Sequence, residues 1–186
     1  MISFKALTIG TVEFKKITHN NRKTKSYEGN FVELNPDSTI DYKAMRAIGL
    51  GWDKGGSFAG DMFDLFAKER ICDEKHKDAN HRFFAITKNN SIAPYITAHD
   101  ILGVATLTKE KDNTQTLKYV QVDPEQVYGS SRRVYKHIGK ALVEAIQNLS
   151  NISEIKLYAV DFGAELFYEK LNFKKLKNSI YMHYKR

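Results

Sequence analysis

The segment KHIGKALVEAIQNL, residues 136–149, constrains the fold of this chain more than any other stretch. Ile138, Leu142, Ile146 and Leu149 recur at helical spacing, which predicts a helix from about 136 to 149 with one apolar face. Such a face has to be buried against another element. The preceding TLKYVQV reads as a strand that stops at Pro124. A strand, a loop, a glycine and a helix therefore follow one another. The first turn of a helix carries backbone N–H groups without intrahelical partners and the positive end of the helix dipole. Gly139 lets an anion approach with no Cβ in the way, and Lys136 and Lys140 add positive charge. This order of elements suits a phosphate cradle.

The rest of the chain supplies further strands and helices. Residues 2–17 and 26–34 alternate apolar and polar side chains, and the polar THNNRKTK between them predicts a hairpin. In LNPDSTIDYKAMRAIGL, Asp37, Ser38 or Asp41 can cap a helix. SFAGDMFDLFAKERICDEK spaces Phe58, Met62, Leu65, Phe66 and Ile71 as an amphipathic helix. HRFFAIT, DILGVATLT, EIKLYAV and SIYMHYK read as strands. AELFYEKL reads as a helix, with Asn172 as its left-handed terminator. With no repeat and no Pro/Gly/Ser linker, residues 1–186 are expected to form a single α/β or α+β domain.

No apolar run approaches the roughly 20 residues that span a bilayer, and the N-terminus lacks a signal-peptide pattern. The single Cys72 excludes an intramolecular disulfide, so a cytoplasmic protein without a membrane partner is expected. Lys and Arg number 29 against 22 Asp and Glu. That excess fits an anionic partner, either a polyphosphate cofactor or a nucleic acid, and equally fits plain solubility. No window interleaves basic and aromatic residues as a single-strand binder does, so nucleic acid is not the favoured partner.

KHIGKA resembles the pyrophosphate motif Q/R-x-x-G-x-G/A of the GNAT superfamily of acyl-CoA-dependent N-acyltransferases, with Lys136, Gly139 and Ala141 at its marked positions. AELFYEKLNF is similar to that family's A-x-x-L/F-Y-x-x-x-G-F segment, with Asn172 in place of the glycine, and DILGVATLT resembles its central strand. The three lie in the family's order within residues 81–175. The resemblance implies a central mixed, mostly antiparallel sheet flanked by helices. It also implies transfer of an acetyl group from acetyl-CoA, as cosubstrate, to a primary amine. Two departures stand out. EQVYGSSRRVY separates Pro124 from Lys136 as an apparent insertion, and Phe162 stands where the family often has asparagine.

Carried over residue by residue, the resemblance implies that the backbone of Val120, Gln121 and Val122 holds the pantetheine arm. The amides of His137, Ile138, Gly139, Lys140 and Ala141, beside Lys136, would hold the pyrophosphate. In the insertion, Arg133, with Arg132, is a candidate for the 3′-phosphate; Asp161 is a candidate for a polar cofactor contact, and Phe167 is a further cofactor-binding candidate. Tyr168 matches the tyrosine that serves as general acid toward the departing thiolate. No acid lies on the central strands except Glu154 at one edge, so Asp123 and Glu125 are the nearest candidates for a base, with ordered water as the alternative.

Cys72, His76 and His81 lack the spacing of a metal site, and no metal is expected. GLGWDKGGSFAG is either a flexible connector or a lid whose Trp52 and Phe58 wall the acceptor site. A peptide or protein amine is the first expectation for the acceptor. Asp61, Asp64 and Glu69 leave room for a cationic small molecule of the aminoglycoside kind. Two further readings stand beside it: an aminoacyl-tRNA-acetylating toxin, and a non-catalytic CoA-binding module. The first requires Arg132, Arg133 and the N-terminal basic residues to form one patch beside the acceptor cleft. The chain could act as a monomer or a homodimer.

Overall fold

The computed structural model describes residues 6–18, 23–52, 58–71, 80–88, 96–110, 114–127, 129–177 and 179–186. Two long strands, β1 (Leu7–Ile17) and β2 (Thr24–Leu34), form the expected antiparallel hairpin. Helix α1 (Thr39–Gly51) and helix α2 (Ala59–Ile71) follow. Of the three candidate caps for α1, Ser38 does the capping, its hydroxyl accepting from the Asp41 N–H at 3.3 Å. Strands β3 (His81–Lys88), β4 (Ile101–Lys109) and β5 (Gln115–Val122) make an antiparallel meander. A 3-10 turn (Pro124–Gln126) and a two-residue strand, β6 (Tyr135–Lys136), lead into α3 (Ile138–Gln147). The chain closes with β7 (Glu154–Tyr158), α4 (Phe162–Glu169), β8 (Lys174–Lys175) and β9 (Tyr181–Lys185).

The nine strands form one sheet in the order β6-β1-β2-β3-β4-β5-β7-β9-β8. Every pairing is antiparallel except that of β5 with β7. Each face carries its own core. On one side α3 packs Ile138, Leu142, Val143 and Ile146 onto Phe84, Ile86, Leu102 and Leu107. On the other, α1 and α2 bring Met45, Ile48, Met62 and Phe66 onto Val32, Phe83, Ala85 and Val104. The strands between the two layers are apolar on both faces, which is why HRFFAIT and DILGVATLT show apolar runs rather than alternation.

The structure corrects the sequence reading of the phosphate helix. The helix starts at Ile138, and Lys136 belongs to β6, which pairs Lys136 with Lys15 and Tyr135 with Lys16 of β1. Two residues cannot display a period, so periodicity merged them with the helix. The final helix starts at Phe162, earlier than expected, where the Asp161 carboxylate accepts from the Ala164 N–H at 2.7 Å. Asn172, at φ 66°, takes the left-handed conformation expected of it.

Candidate functional site

The local structure of β5 makes the site. Gln115 pairs with Ile155 and Thr116 with Lys156, and the β5–β7 pairing ends there. On its other edge, Leu107 faces Leu117 while Thr106 faces Tyr119, so Lys118 is a bulge. The extra residue turns Leu117 and Tyr119, two apart in sequence, to opposite faces of the sheet. It lies just past the point where the pairing with β7 stops. From Leu117 to Val122 the β7-facing edge of β5 has no strand partner among the described residues. Backbone N–H and C=O groups inside a fold require partners, so this open edge is where the amides of an extended ligand can pair.

Beyond the bulge, Val120 and Val122 pack toward α3, and Tyr119 faces the α1–α2 layer. Gln121 reaches the α1–α2 connection, its Oε1 accepting from the Phe58 N–H at 3.3 Å while its Nε2 donates to the Val122 carbonyl at 3.0 Å. Phe58 stacks on Tyr119 with ring centroids 5.3 Å apart. Trp52 is buried at the end of α1. Trp52 and Phe58 thus flank residues 53–57, which lie outside the described residues. The sequence reading missed Tyr119, because a bulge leaves no mark on apolar periodicity.

The start of α3 lies against the end of β5, with Gly139 beside Val122. His137 sits in the left-handed region at φ 68° and makes no side-chain cap bond. The Ala141 N–H bonds the His137 carbonyl at 2.9 Å, which takes Ala141 out of the expected set of free amides. The N–H groups of Ile138, Gly139 and Lys140, at the first three helical positions, have no intrahelical partner. A Cβ on Gly139 would lie 3.4 Å from Val122 Cγ2 and 3.7 Å from Phe167 Cζ. The glycine therefore keeps clear the space between β5, the helix start and α4. This cradle of free amides, cleared at Gly139, fits a pyrophosphate. The first turn of α3 has no acid. Lys140 lies 3.6 Å from Glu144 on a solvated face.

Tyr168 sits on α4, half-buried, between Phe167 and Phe173 at centroid distances of 5.0 and 5.5 Å. Its hydroxyl makes no hydrogen bond among the described residues. Desolvation by its apolar neighbours pushes the phenol up to about 12, so it is protonated at neutral pH and can donate.

Most of the remaining candidates are engaged with near neighbours. The Asp123 carboxylate accepts from the Glu125 N–H at 2.9 Å and caps the 3-10 turn. Glu125 holds Arg132 at 2.8 Å, and this pairing raises the Arg132 guanidinium further. The structure therefore gives Asp123 and Glu125 structural partners in a solvated turn. Asp161 caps α4 rather than standing free for a cofactor. Arg133 donates through Nε to the Tyr135 carbonyl at 3.1 Å, which leaves its other nitrogens uncommitted in that bond.

The inserted segment is tied down by Gln126, whose buried Oε1 accepts from the N–H groups of Val134 and Tyr135 at 2.9 and 2.8 Å. It docks on the N-terminal hairpin, where Lys15 pairs with Lys136 and Lys16 with Lys25 across the ladder. A cleft of about 310 Å³ lies there, lined by Lys15, Ser26, His137 and Lys140 among others.

Cys72 and His76 lie outside the described residues. Among the described residues, His81 contacts Thr108 at 2.9 Å and Glu69 at 3.9 Å, and no group of three potential ligands gathers. Desolvation and the nearby Lys118 hold the His81 imidazole below its usual range. No described helix is long and apolar enough to cross a membrane.

Comparison with known proteins supports this layout. No protein-family model matches the chain, and no curated protein sequence matches it. Solved structures do. A GNAT-family acetyltransferase from Staphylococcus aureus Mu50 superposes with a TM-score of 0.54 at 18% identity, over 84% of this chain and 98% of that one. AtaTR bound with acetyl-CoA gives a TM-score of 0.53 at 18% identity, over 83% and 91% of the two chains. AtaT complexed with acetyl-methionyl-tRNAfMet gives 0.50 at 15% identity, over 83% and 93%. With its nine-stranded, mostly antiparallel sheet, its glycine-cleared helix start and these neighbours, the chain has the fold of the GNAT acetyltransferase superfamily.

Proposed function

We propose that the protein transfers an acetyl group from acetyl-CoA to a primary amine. The observation that carries this reading is the β7-facing edge of β5, without a strand partner among the described residues, near the free amides of α3, with Gly139 clearing the space beside Val122. The open backbone at Val120–Val122 suits the amide groups of the pantetheine arm. The N–H groups of Ile138, Gly139 and Lys140 suit the pyrophosphate. Acetyl-CoA supplies the activated acyl group. The protein's share is to hold it beside the amine and to stabilise the departing thiolate. Tyr168 is the proton donor in this reading: its phenol is protonated at neutral pH and lacks a partner among the described residues. With Asp123 and Glu125 engaged, water or an already neutral amine accounts best for deprotonation of the acceptor.

A peptide or protein amine remains the first acceptor. A second acceptor, the amine of an aminoacyl-tRNA, is favoured by one observation. The insertion brings Lys136 beside Lys15, next to Lys16 and Lys25, so basic residues distant in sequence share one sheet edge near the start of α3. Arg132 is spent on Glu125 and does not extend that edge as a free charge. The solved structure of AtaT, a structural neighbour, has it complexed with acetyl-methionyl-tRNAfMet. The test is an acceptor screen with acetyl-CoA, following free thiol and the mass of the product, over peptides, proteins, aminoglycosides and aminoacyl-tRNA. Acetylation of one class with thiol release identifies the acceptor. Tight acetyl-CoA binding without transfer to any class would instead mark a non-catalytic CoA-binding module.

A further inference from the structure

The outer face of the α1–α2 hairpin carries a cleft that acetyl transfer does not use. Thr39, Tyr42, Lys43 and Arg46 stand at i, i+3, i+4 and i+7 along α1 and form one stripe. With Arg70 and Ile71 at the end of α2 they line a cleft of about 500 Å³. Among the described residues its lining contains three cations and no acid. Ile71 is 81% exposed, an unusual position for so apolar a side chain, and with the Tyr42 ring it gives the cleft apolar walls. The Arg70 guanidinium lies 4.5 Å from the Tyr42 ring centroid, and Phe63 fixes that ring from a centroid distance of 5.5 Å. Through Nη2, Arg70 donates to Thr39 Oγ1 at a long 3.4 Å. Its Nη1 is enclosed and has no hydrogen-bond partner among the described residues. A buried, charged donor without an acceptor is a standing cost, and an oxyanion beside it removes that cost.

This place is remote from the acetyl-transfer site. The α1–α2 connection touches β5 at the Phe58–Gln121 bond, whereas Thr39 opens α1 at its other end, about 20 Å away along 13 residues at 1.5 Å each.

We infer that this cleft binds a phosphate-bearing ligand of nucleotide size, its phosphate held by Lys43, Arg46 and Arg70 and its ring against Tyr42 and Ile71. Arginine forks match phosphate oxygens in pairs, and a volume of this order accommodates a nucleotide. A free nucleotide and a nucleotide unit within RNA offer the same chemistry.

Calorimetric titration with adenosine 5′-monophosphate, and separately with a short single-stranded RNA, distinguishes the two sources. The double variant Lys43→Glu, Arg46→Glu alters two exposed side chains and leaves the packing of α1 intact. It should lose at least about tenfold in affinity, the size of one charge-assisted hydrogen bond. Gly139→Asp, which disables the proposed cofactor cradle, should leave this binding unchanged. Binding of the mononucleotide alone assigns a small-molecule site, and tighter binding of the RNA assigns a nucleic-acid contact. No binding of either probe, or binding that Gly139→Asp abolishes and the double variant spares, would overturn the inference. Neither result bears on acetyl-CoA, whose affinity is read separately on the same variants.

Discussion

Tyr168 joins two properties that seldom occur together: an apolar surround that holds its phenol protonated, and a hydroxyl with no partner among the described residues. A structural tyrosine normally spends its hydroxyl on a hydrogen bond. The acid role predicts that Tyr168→Phe lowers turnover by about 10²–10⁴-fold with little change in thermal stability, because the ring and its contacts remain. Full activity of that variant with its true acceptor would sink the role. The pH dependence has a definite sign. The phenol is raised from about 10 in the unfolded chain to about 12, so its contribution to stability is complete below pH 10 and is lost as pH rises toward 12. Tyr168→Phe should therefore flatten the alkaline unfolding profile above pH 10, and any loss of activity below pH 10 must come from another group. Gly139 offers a cleaner separation of folding from binding. A methyl group there meets Val122 and Phe167 only at ordinary contact distance, and alanine favours a helix by up to about 1 kcal/mol. Gly139→Ala should keep or slightly raise the melting temperature. Gly139→Asp should lose at least about tenfold in acetyl-CoA affinity, because it sets a carboxylate among N–H groups meant for a pyrophosphate. Calorimetry on both folded variants decides the assignment, and unchanged affinity in Gly139→Asp would remove the phosphate role of α3.

Among the elements, the inserted segment between β5 and α3 depends most on a single side chain. Gln126 accepts from two backbone N–H groups that a truncated side chain would leave without an acceptor. Gln126→Ala should destabilise the fold by about 1–3 kcal/mol, measured by urea unfolding. It should also weaken acetyl-CoA binding, because β6 leads directly into His137 and the start of α3. An unchanged unfolding midpoint would mean that pairing of β6 with β1 suffices to hold the segment. This part of the molecule also shows where sequence reasoning ran out. The α3 helix was readable because Ile138, Leu142 and Ile146 must all face one core, and β3 and β4 because they are buried on both faces. Asn172 was readable because its chemistry and its left-handed backbone agree. The rest depends on contacts remote in sequence. β6 exists because β1 offers it an edge, and Lys118 bulges because β4 and β5 fall out of register. The left-handed His137 is equally invisible to a pattern of apolar residues. Asp123, Glu125 and Asp161 were sensible candidates by residue type, yet capping bonds and an ion pair to near neighbours claim all three.

Over the whole molecule, the formal charge of +7 acts on any polyanionic ligand. The question is whether that charge is diffuse or placed. In the diffuse case, the pyrophosphate and 3′-phosphate of CoA feel only a general field, which salt screens with a Debye length of about 10 Å at 0.1 M. In the placed case, particular cations meet particular phosphates and their removal is selective. Two adjacent arginines separate the cases. Arg132 is exposed and bound to Glu125, whereas Arg133 is anchored through Nε to the Tyr135 carbonyl, close in sequence to the start of α3. The anchored arginine is the better candidate for the 3′-phosphate. Arg133→Ala should weaken CoA by severalfold more than dephospho-CoA, because only CoA carries that phosphate. Arg132→Ala removes a cation that Glu125 already neutralises, so it should affect both ligands equally and slightly. Raising the salt concentration should then weaken CoA binding to the parent protein and narrow its advantage over dephospho-CoA. Equal losses for the two ligands in Arg133→Ala would place the basic excess in a general field, and the insertion would then serve to complete the sheet edge rather than to recognise the cofactor.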